Sequence, residues 1–507
     1  MSSSQPALDR APEPARFDAL SVCSIALAVV ALHIATNGRY GFHRDELQFL
    51  SDARHLDWGF VSYPPFTPFV EHIGLAVFGL SMIGLRMFSV LAQAMVVIVA
   101  GYMARDLGGG RVAQTATALA VALSPLPLFS GTEFQYTSFD FLWWVLAAWC
   151  VLRLLTTENP RWWLAIGLAL GIGLETKYSI VFFIAGILLG LLLTPARRHL
   201  RSGWFWAGVG LALLIFLPNL VWLIHHDFIS YRFLQHIHMR DVAEGRADGF
   251  LRGQILYGAN LFSVPVWIVG LIVFFRSARY RTLAWMAVLP VAIFYVSKGR
   301  FYYVAPVYPM LLAMGSTAAE RWLVQLPALA RRILPPVYFA GVLACGAYLS
   351  ALLVPVASSG PLRAFALQHN GDLREEIGWN ELVRKVAAIR DSLPADQQAH
   401  LGITTGNYGE YGAIDVLGPA YHLPTPIGTT NSEWLRGYPT PPPTTLIVLG
   451  LDANDANSIF TGCRLAGHNG NSEGVRNEES KYHPDIFICG PPRKPVADLW
   501  KEHRDFG

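Results

Sequence analysis

Charged side chains are scarce in this sequence: Asp, Glu, Lys and Arg make up 15% of its 507 residues, against 53% hydrophobic. An ordinary globular domain carries about 25% charged residues. The deficit argues against a water-soluble chain and for one that crosses a membrane several times. A surplus of either sign is also missing, since the formal net charge is +3, too little to draw the chain to nucleic acid. Cysteine is sparse as well. Of five, Cys23, Cys150 and Cys345 lie in apolar runs, and Cys463 and Cys489 lie in the polar C-terminal part. The last two are disulfide candidates if that part is exported, and free thiols if it is not. The pattern of a cleaved export signal is lacking too. Arg10 and Arg16 precede an apolar run near 19–35, but "TNGRYGFHRDE" follows where a small-residue cleavage site would stand. The run reads as an uncleaved first membrane helix behind a cytoplasmic tail over 1–18.

What is present is a series of long apolar stretches. A spanning helix needs about 20 mostly apolar residues, because without water every backbone polar group must be satisfied inside the helix. Eleven stretches qualify, near 19–36, 82–104, 112–130, 138–155, 161–175, 177–194, 203–224, 254–275, 282–297, 301–319 and 333–356. Only "ETK" separates the fifth from the sixth, so these two read either as a tight hairpin or as one broken helix. With the N-terminus inside, the alternate short turns hold Arg105 and Arg111, Arg153 and Arg161, Arg197, Arg198 and Arg201, Arg276, Arg279 and Arg281, and Arg321, Arg331 and Arg332. Short arginine-rich loops tend to stay cytoplasmic. The opposite loops are mixed in charge, and an odd helix count places residues 357–507 outside the cytoplasm. There the composition turns to Pro, Gly, Asn and charge. "HLGITT" and "TTLIVLG" look like strands and "NELVRKVAAIRDSL" has helical spacing. The expected architecture is an α-helical polytopic membrane domain over 19–356 with a C-terminal α/β domain on the outer face.

The outer-face loops concentrate the chemistry. In "GFHRDELQFL" (41–50) four ionisable side chains follow the first helix. If "RDELQFLSDARHL" is helical, Leu47, Leu50 and Ala53 share one side while Asp45, Gln48 and Asp52 fall mostly on another. That is the pattern of a segment lying in the membrane interface, and a solvated loop is the plainer alternative. A carboxylate held at the water–lipid boundary suits removal of a proton from an incoming hydroxyl or amine. "GTEFQYTSFDFLWW" places Glu133 in a short outer turn and Asp140 just inside the next helix. Asp140 reads either as a partner of the helix dipole or as a functional intramembrane acid. Lys177 in "GLETKYS" and Arg300 in "SKGRFYYVAPVYP" sit on the side where cations are unexpected, so an anion is their natural complement. Phosphate fits, with Arg binding it bidentately and Lys as a point charge; contact with lipid headgroups is the alternative. His225, Asp227, His236 and His238 invite a metal, but i,i+2 histidines do not converge from a helix.

Taken in order, these motifs resemble a known pattern. Asp45-Glu46 after the first helix, Tyr63-Pro64-Pro65, Asp140 opening the fourth helix, Thr176-Lys177-Tyr178 and "RFYYVAPVYP" at 300–309 are together similar to the GT-C class of polytopic glycosyltransferases. Within it they resemble glycosyltransferase family 39, which includes protein O-mannosyltransferases of the dolichyl-phosphate-mannose-dependent type and the aminoarabinose transferases of lipid A. "EEIGWNELV" at 375–383 and "NYGEYGAIDVLGP" at 407–419 are similar to the outer domain of bacterial members. The C-terminal part does not resemble the β-trefoil repeats of eukaryotic members, so a protein acceptor is not implied from them.

The resemblance implies a GT-C fold in a bacterial inner membrane, and transfer of a sugar from a polyprenyl-phosphate donor to a lipid, glycan or protein acceptor on the outer face. No cofactor is required by that chemistry, and a divalent cation stays open as an addition. Asp45 would be the base, with Glu46 beside it and Asp140 supporting acceptor or sugar. Lys177 and Arg300 would hold the donor phosphate. Arg44 would either assist them or restrain Asp45. Tyr63, Glu133, Tyr302 and Tyr303 would line the substrate pocket. Two rival classes are a transporter or flippase of a lipid-linked intermediate, and a non-catalytic envelope assembly protein. Transporters often carry inverted repeats, and no repeat is evident here.

Overall fold

The computed structural model describes residues 15–507, so most of the expected tail over 1–18 lies outside the described residues. The chain forms two compact units. One comprises the chain up to Asn37, Arg86–His225 and His238–Val356; the other comprises Gly38–Leu85, His226–Ile237 and Ala357–Gly507. The chain passes from the first unit to the second between Val356 and Ala357, and residues 38–85 group with the C-terminal residues.

The first unit is helical. Among the described residues five helices are long and apolar enough to cross a membrane: Ala19–Thr36, Met82–Asp106, Tyr136–Thr157, Gly203–His225 and Ala328–Leu353. Two bent pairs raise the number to seven if each is one span: Ile180–Leu192 with Pro195–Arg201 at 109°, and Phe250–Leu256 with Leu261–Arg276 at 94°. This is a multi-pass membrane protein, but its helices differ from the eleven expected. The run at 112–130 splits into Arg111–Ala122 and Pro125–Ser130, because Pro125 starts a new helix. The stretches around "ETK" are two separate helices, Trp162–Leu174 and Ile180–Leu192, of 13 residues each. The run at 301–319 begins as a 3-10 turn over Phe301–Val307 before the helix Tyr308–Leu323.

Between apolar helices close approach replaces the hydrophobic effect as the source of contact. Gly270 faces the Leu311 carbonyl and Gly315 faces the Val266 carbonyl, so neither position has room for a Cβ. Polar ties gather at helix ends. Glu320 accepts from the backbone N–H groups of Gly110 and Val112 at 2.5 and 3.1 Å. It thereby satisfies orphan donors at the start of Arg111–Ala122.

The second unit is built on a five-stranded sheet. Its strands are β1 (Leu401–Thr405), β2 (Ile427–Gly428), β3 (Thr445–Leu449), β4 (Arg464–His468) and β5 (Asp485–Cys489), in the order β2-β1-β3-β5-β4. β1 pairs in parallel with β2 and β3, while β5 runs antiparallel to both β3 and β4. The strand-like runs at 400–405 and 444–450 are β1 and β3, and "NELVRKVAAIRDSL" lies in the helix Trp379–Asp391. Cys463 and Cys489 are joined in a disulfide.

The helix Arg44–Arg54 docks here through the face that its spacing marks as apolar. Leu47 and Leu50 are fully buried in one core with Trp379, Leu382, Val386 and Ile414. The close approach depends on Gly412, where a Cβ would come within 2.6 Å of the Leu47 carbonyl. Arg54 donates to the Asp415 and Val416 carbonyls at 2.6 and 3.2 Å, placing a cation at the C-terminal end of the helix Tyr408–Leu417.

Removing the buried Leu50 side chain leaves a cavity in this shared core. We expect Leu50→Ala to cost the second unit about 2–5 kcal/mol, seen as a lower midpoint of thermal unfolding followed by protease cleavage within 357–507. An unchanged cleavage midpoint would contradict the placement of residues 38–85 in that core.

Candidate functional site

In the helical unit the tripeptide Thr176-Lys177-Tyr178 links two helices and is tied on both sides. Trp143 donates to the Thr176 hydroxyl at 3.0 Å, and the Tyr178 hydroxyl donates to Asn219 at 3.0 Å. These ties present the Lys177 ammonium to two rings, 4.7 Å from the Tyr136 centroid and 4.4 Å from the Tyr303 centroid. Both distances are within cation–π range. Asp140 is buried and accepts from Trp144 Nε1 at 3.0 Å and from the Ser179 hydroxyl at 3.4 Å. Ser179, which donates to Asp140, stands two residues after Lys177, and the Tyr303 ring under Lys177 lies 4.8 Å from that of Tyr302, whose hydroxyl accepts from Arg300. The structure therefore gathers Asp140, Lys177, Arg300 and Tyr303 into one neighbourhood.

Arg300 is already engaged. Its Nε and NH2 each donate to Asp241 at 2.6 Å, and its NH1 donates to the Tyr302 hydroxyl at 3.1 Å. Asp241 is buried on the helix Ile229–Ala243, and the sequence reading did not single it out. The only signal was an acid among the cations of "HMRDVAEGR". Tyr136 was missed as well, although it stands four residues before Asp140. Glu133 is buried in the turn before Tyr136–Thr157. Its placement gives it no shown role with Lys177.

In the second unit the stretch "GFHRDELQFL" is a helix start. The His43 ring accepts from the Asp45 N–H at 3.1 Å, and Glu46 accepts from the His43 N–H at 2.8 Å, closing a capping box. Glu46 is buried in that role, which separates it from Asp45, the partly exposed carboxylate. Asp45 accepts from the Tyr408 hydroxyl at 3.0 Å. Arg44 pairs with Glu478 and with Glu479, the latter at 3.2 Å, and lies over the Tyr408 ring at 4.6 Å. The "NYGEYG" motif gains its meaning here. Asn407 caps the helix by accepting from the Glu410 N–H at 2.9 Å, Tyr408 meets Asp45, and Gly412 admits Leu47.

Tyr63, expected in a pocket, is buried and donates to Asp52, which also accepts from Arg436. These bonds give Tyr63 a part in supporting a buried ion pair. Burial raises the Asp52 pKa, with the Arg436 cation opposing. It also raises Glu71 and Glu410 well above the ordinary carboxylate value, and pushes Glu375 up to about 8, where the nearby Glu479 adds to the effect and Arg44 opposes it. Among the described residues no group of three or more His, Cys, Asp or Glu side chains is arranged to hold a metal ion.

Residues 62–222 match the family pattern described as dolichyl-phosphate-mannose-protein mannosyltransferase. The chain is 31% identical over 275 residues to an undecaprenyl phosphate-α-4-amino-4-deoxy-L-arabinose arabinosyl transferase of Pseudomonas fluorescens, covering 49% of this chain and 48% of that one. It is 27% identical over 251 residues to the lipid A galacturonosyltransferase RgtD of Rhizobium johnstonii, covering 48% of this chain and 50% of that one. The chain thus spans about half the length of these relatives. In structure it is similar to ArnT from Cupriavidus metallidurans, solved bound to undecaprenyl phosphate and in the apo state. The TM-scores are 0.53 and 0.55, with 15% and 14% identity, over 92% of this chain and 97% of that one. The fold is the one these membrane proteins share.

A carboxyl group whose pKa is raised on folding keeps its proton after the unfolded chain has lost it. The stability it contributes is therefore intact below its ordinary value of 4.5 and falls as pH rises to about 8 for Glu375. We expect the thermal midpoint of the full-length protein to decline between pH 5 and pH 8, and to decline less in Glu375→Gln. Tryptophan fluorescence during heating reads both, and parallel declines would refute the assignment.

Proposed function

We propose that the protein is a glycosyltransferase of a bacterial inner membrane, which moves a sugar from a polyprenyl-phosphate donor to an acceptor at the outer face. One observation carries most weight: Lys177 lies 4.4 Å from the Tyr303 ring, and the hydroxyl of the adjoining Tyr302 accepts from Arg300 at 3.1 Å, so one tyrosine pair links two cations. Asp241 offsets the charge of Arg300, and an ammonium held against ring faces suits an anion. A phosphate meets that need, with Lys177 as a point charge and Arg300 offering a planar fork. The relatives' names describe sugar transfer from undecaprenyl phosphate and transfer to lipid A. The similar structure was solved with undecaprenyl phosphate. Together these support a lipid-delivered donor and a lipid-linked acceptor.

In the step itself, the acceptor oxygen bonds to the anomeric carbon while the bond from that carbon to the phosphate oxygen breaks. Polyprenyl phosphate leaves with the electron pair, and the acceptor proton passes to a carboxylate. Lys177 and Arg300 stabilise charge developing on the departing phosphate. Asp45 is the proton acceptor in this reading. Its hydrogen bond from Tyr408 sets the carboxylate's orientation, and the pairing of Arg44 with Glu478 and Glu479 keeps that cation on other partners. Asp140 orients sugar or acceptor from the helical unit.

The purified protein incubated with a panel of polyprenyl-phosphate sugars should consume one of them. Asp45→Asn should abolish transfer with thermal stability retained, by about 100-fold or more as expected for a lost general base; full activity would remove Asp45 from the mechanism. Arg300→Ala should raise KM for the donor more than for the acceptor, and the reverse would relocate the phosphate.

A further inference from the structure

Asp241 occupies the guanidinium fork that a phosphate would need, and a second arginine stands beside it. The local backbone explains how that arginine arrives. The helix Ile229–Ala243 is followed by Glu244 and then by Gly245, which takes φ +71°, a left-handed conformation that glycine adopts without a Cβ penalty. The Arg246 N–H donates to the Asp241 carbonyl at 2.9 Å, and the Gly245 N–H donates to the Val242 carbonyl at 3.3 Å. These two bonds make a Schellman closure of the helix. It folds residue 246 back toward residue 241.

The side chains meet as well. Asp241 Oδ1 accepts from both Arg300 and Arg246, at 2.6 and 3.5 Å, and Oδ2 accepts a second bond from Arg300 at 2.6 Å. Arg246 is also paired with Glu244 at 2.7 Å. Its side chain is 43% exposed, against 7% for Asp241.

Carboxylate and phosphate engage a guanidinium through the same two-point geometry, so a phosphate arriving at Arg300 competes with Asp241 for the fork. A buried carboxylate stripped of its cation is strongly destabilised. This one has another cation at 3.5 Å to turn to, on a side chain exposed enough to swing inward. We propose that Arg246 is a positioning residue for donor binding: as a phosphate takes the fork of Arg300, the Asp241 carboxylate passes to Arg246. Affinity for the phosphate is then set by an exchange of partners. No covalent bond changes in this step, and it rests on the reading of Arg300 as a phosphate ligand.

The test is isothermal titration of geranyl phosphate into the full-length protein in phosphatidylcholine nanodiscs, with the heat of geraniol, which lacks the phosphate, subtracted. Asp241→Asn should bind about tenfold more tightly, since a charged competitor is gone. Arg246→Gln should bind about fivefold more weakly, and Arg246→Lys, which keeps the charge, should stay within about twofold of the unaltered protein. In the Asp241→Asn background, Arg246→Gln should have no further effect. A loss repeated there would mean that Arg246 attracts the phosphate directly, and it overturns the exchange. Equal or weaker binding by Asp241→Asn overturns it too, because Asp241 would then only orient Arg300. If Asp241→Asn unfolds, the Arg246 variants decide: unchanged affinity in Arg246→Gln, or no recovery in Arg246→Lys, refutes the proposal. Arg300→Ala separates the two levels. If it binds as tightly as the unaltered protein, the phosphate reading falls together with the exchange, whereas a loss there without coupling between Asp241 and Arg246 removes the exchange alone.

Discussion

A charge taken out of water must be met by another group, and four part-buried cations of this chain are met in two different ways. Arg300, Arg44 and Arg436 are each met by carboxylates, Asp241 for the first, Glu478 and Glu479 for the second, and Asp52 for the third. Lys177 is met chiefly by the faces of Tyr136 and Tyr303. Because a pair broken from one side leaves an uncompensated buried charge, these partners are fixed points around which the loops must fold. The Arg44 pairing spans 434 residues of sequence and the Arg436 pairing spans 384. The segment 38–85 is therefore bound to residues 357–507 by charge as well as by the Leu47 and Leu50 core.

The difference in partner type has a chemical consequence in the helical unit. A ring stabilises a cation without neutralising it, since the attraction comes from a quadrupole. Lys177 thus faces rings where Arg300 faces a carboxylate, and Arg300 must share its fork with Asp241. Binding of a phosphate would divide the labour accordingly: Lys177 supplies attraction at once, and Arg300 supplies geometry as its bonds to Asp241 and Tyr302 are redistributed. That ordering explains why a carboxylate as close as Asp241 is compatible with an anion site. It holds the guanidinium in a defined plane until the ligand competes for it.

The sequence showed which segments are apolar, because burial in lipid imposes composition directly, and it showed the strands at 401–405 and 445–449 through β-branched runs bounded by turns. Helix length was less legible. Pro125 splits the apolar run at 112–130 into two helices, and the "ETK" link joins two helices of 13 residues each, so apolar runs and helices do not coincide one to one. The candidate cations at Lys177 and Arg300 were legible because they fall in links that the charge pattern assigns to the side where arginine and lysine are uncommon. Their partners were not, since Asp241 lies 59 residues before Arg300 and nothing local marks it. At "GFHRDELQFL" the motif order pointed to Asp45 among four ionisable groups, and the contacts say what the others do. His43 and Glu46 close the helix start, Arg44 binds distant acids, and Asp45 is partly exposed with a tyrosine hydroxyl to orient it. The proposed proton transfer is assigned to Asp45 because each of its three neighbours has a structural task.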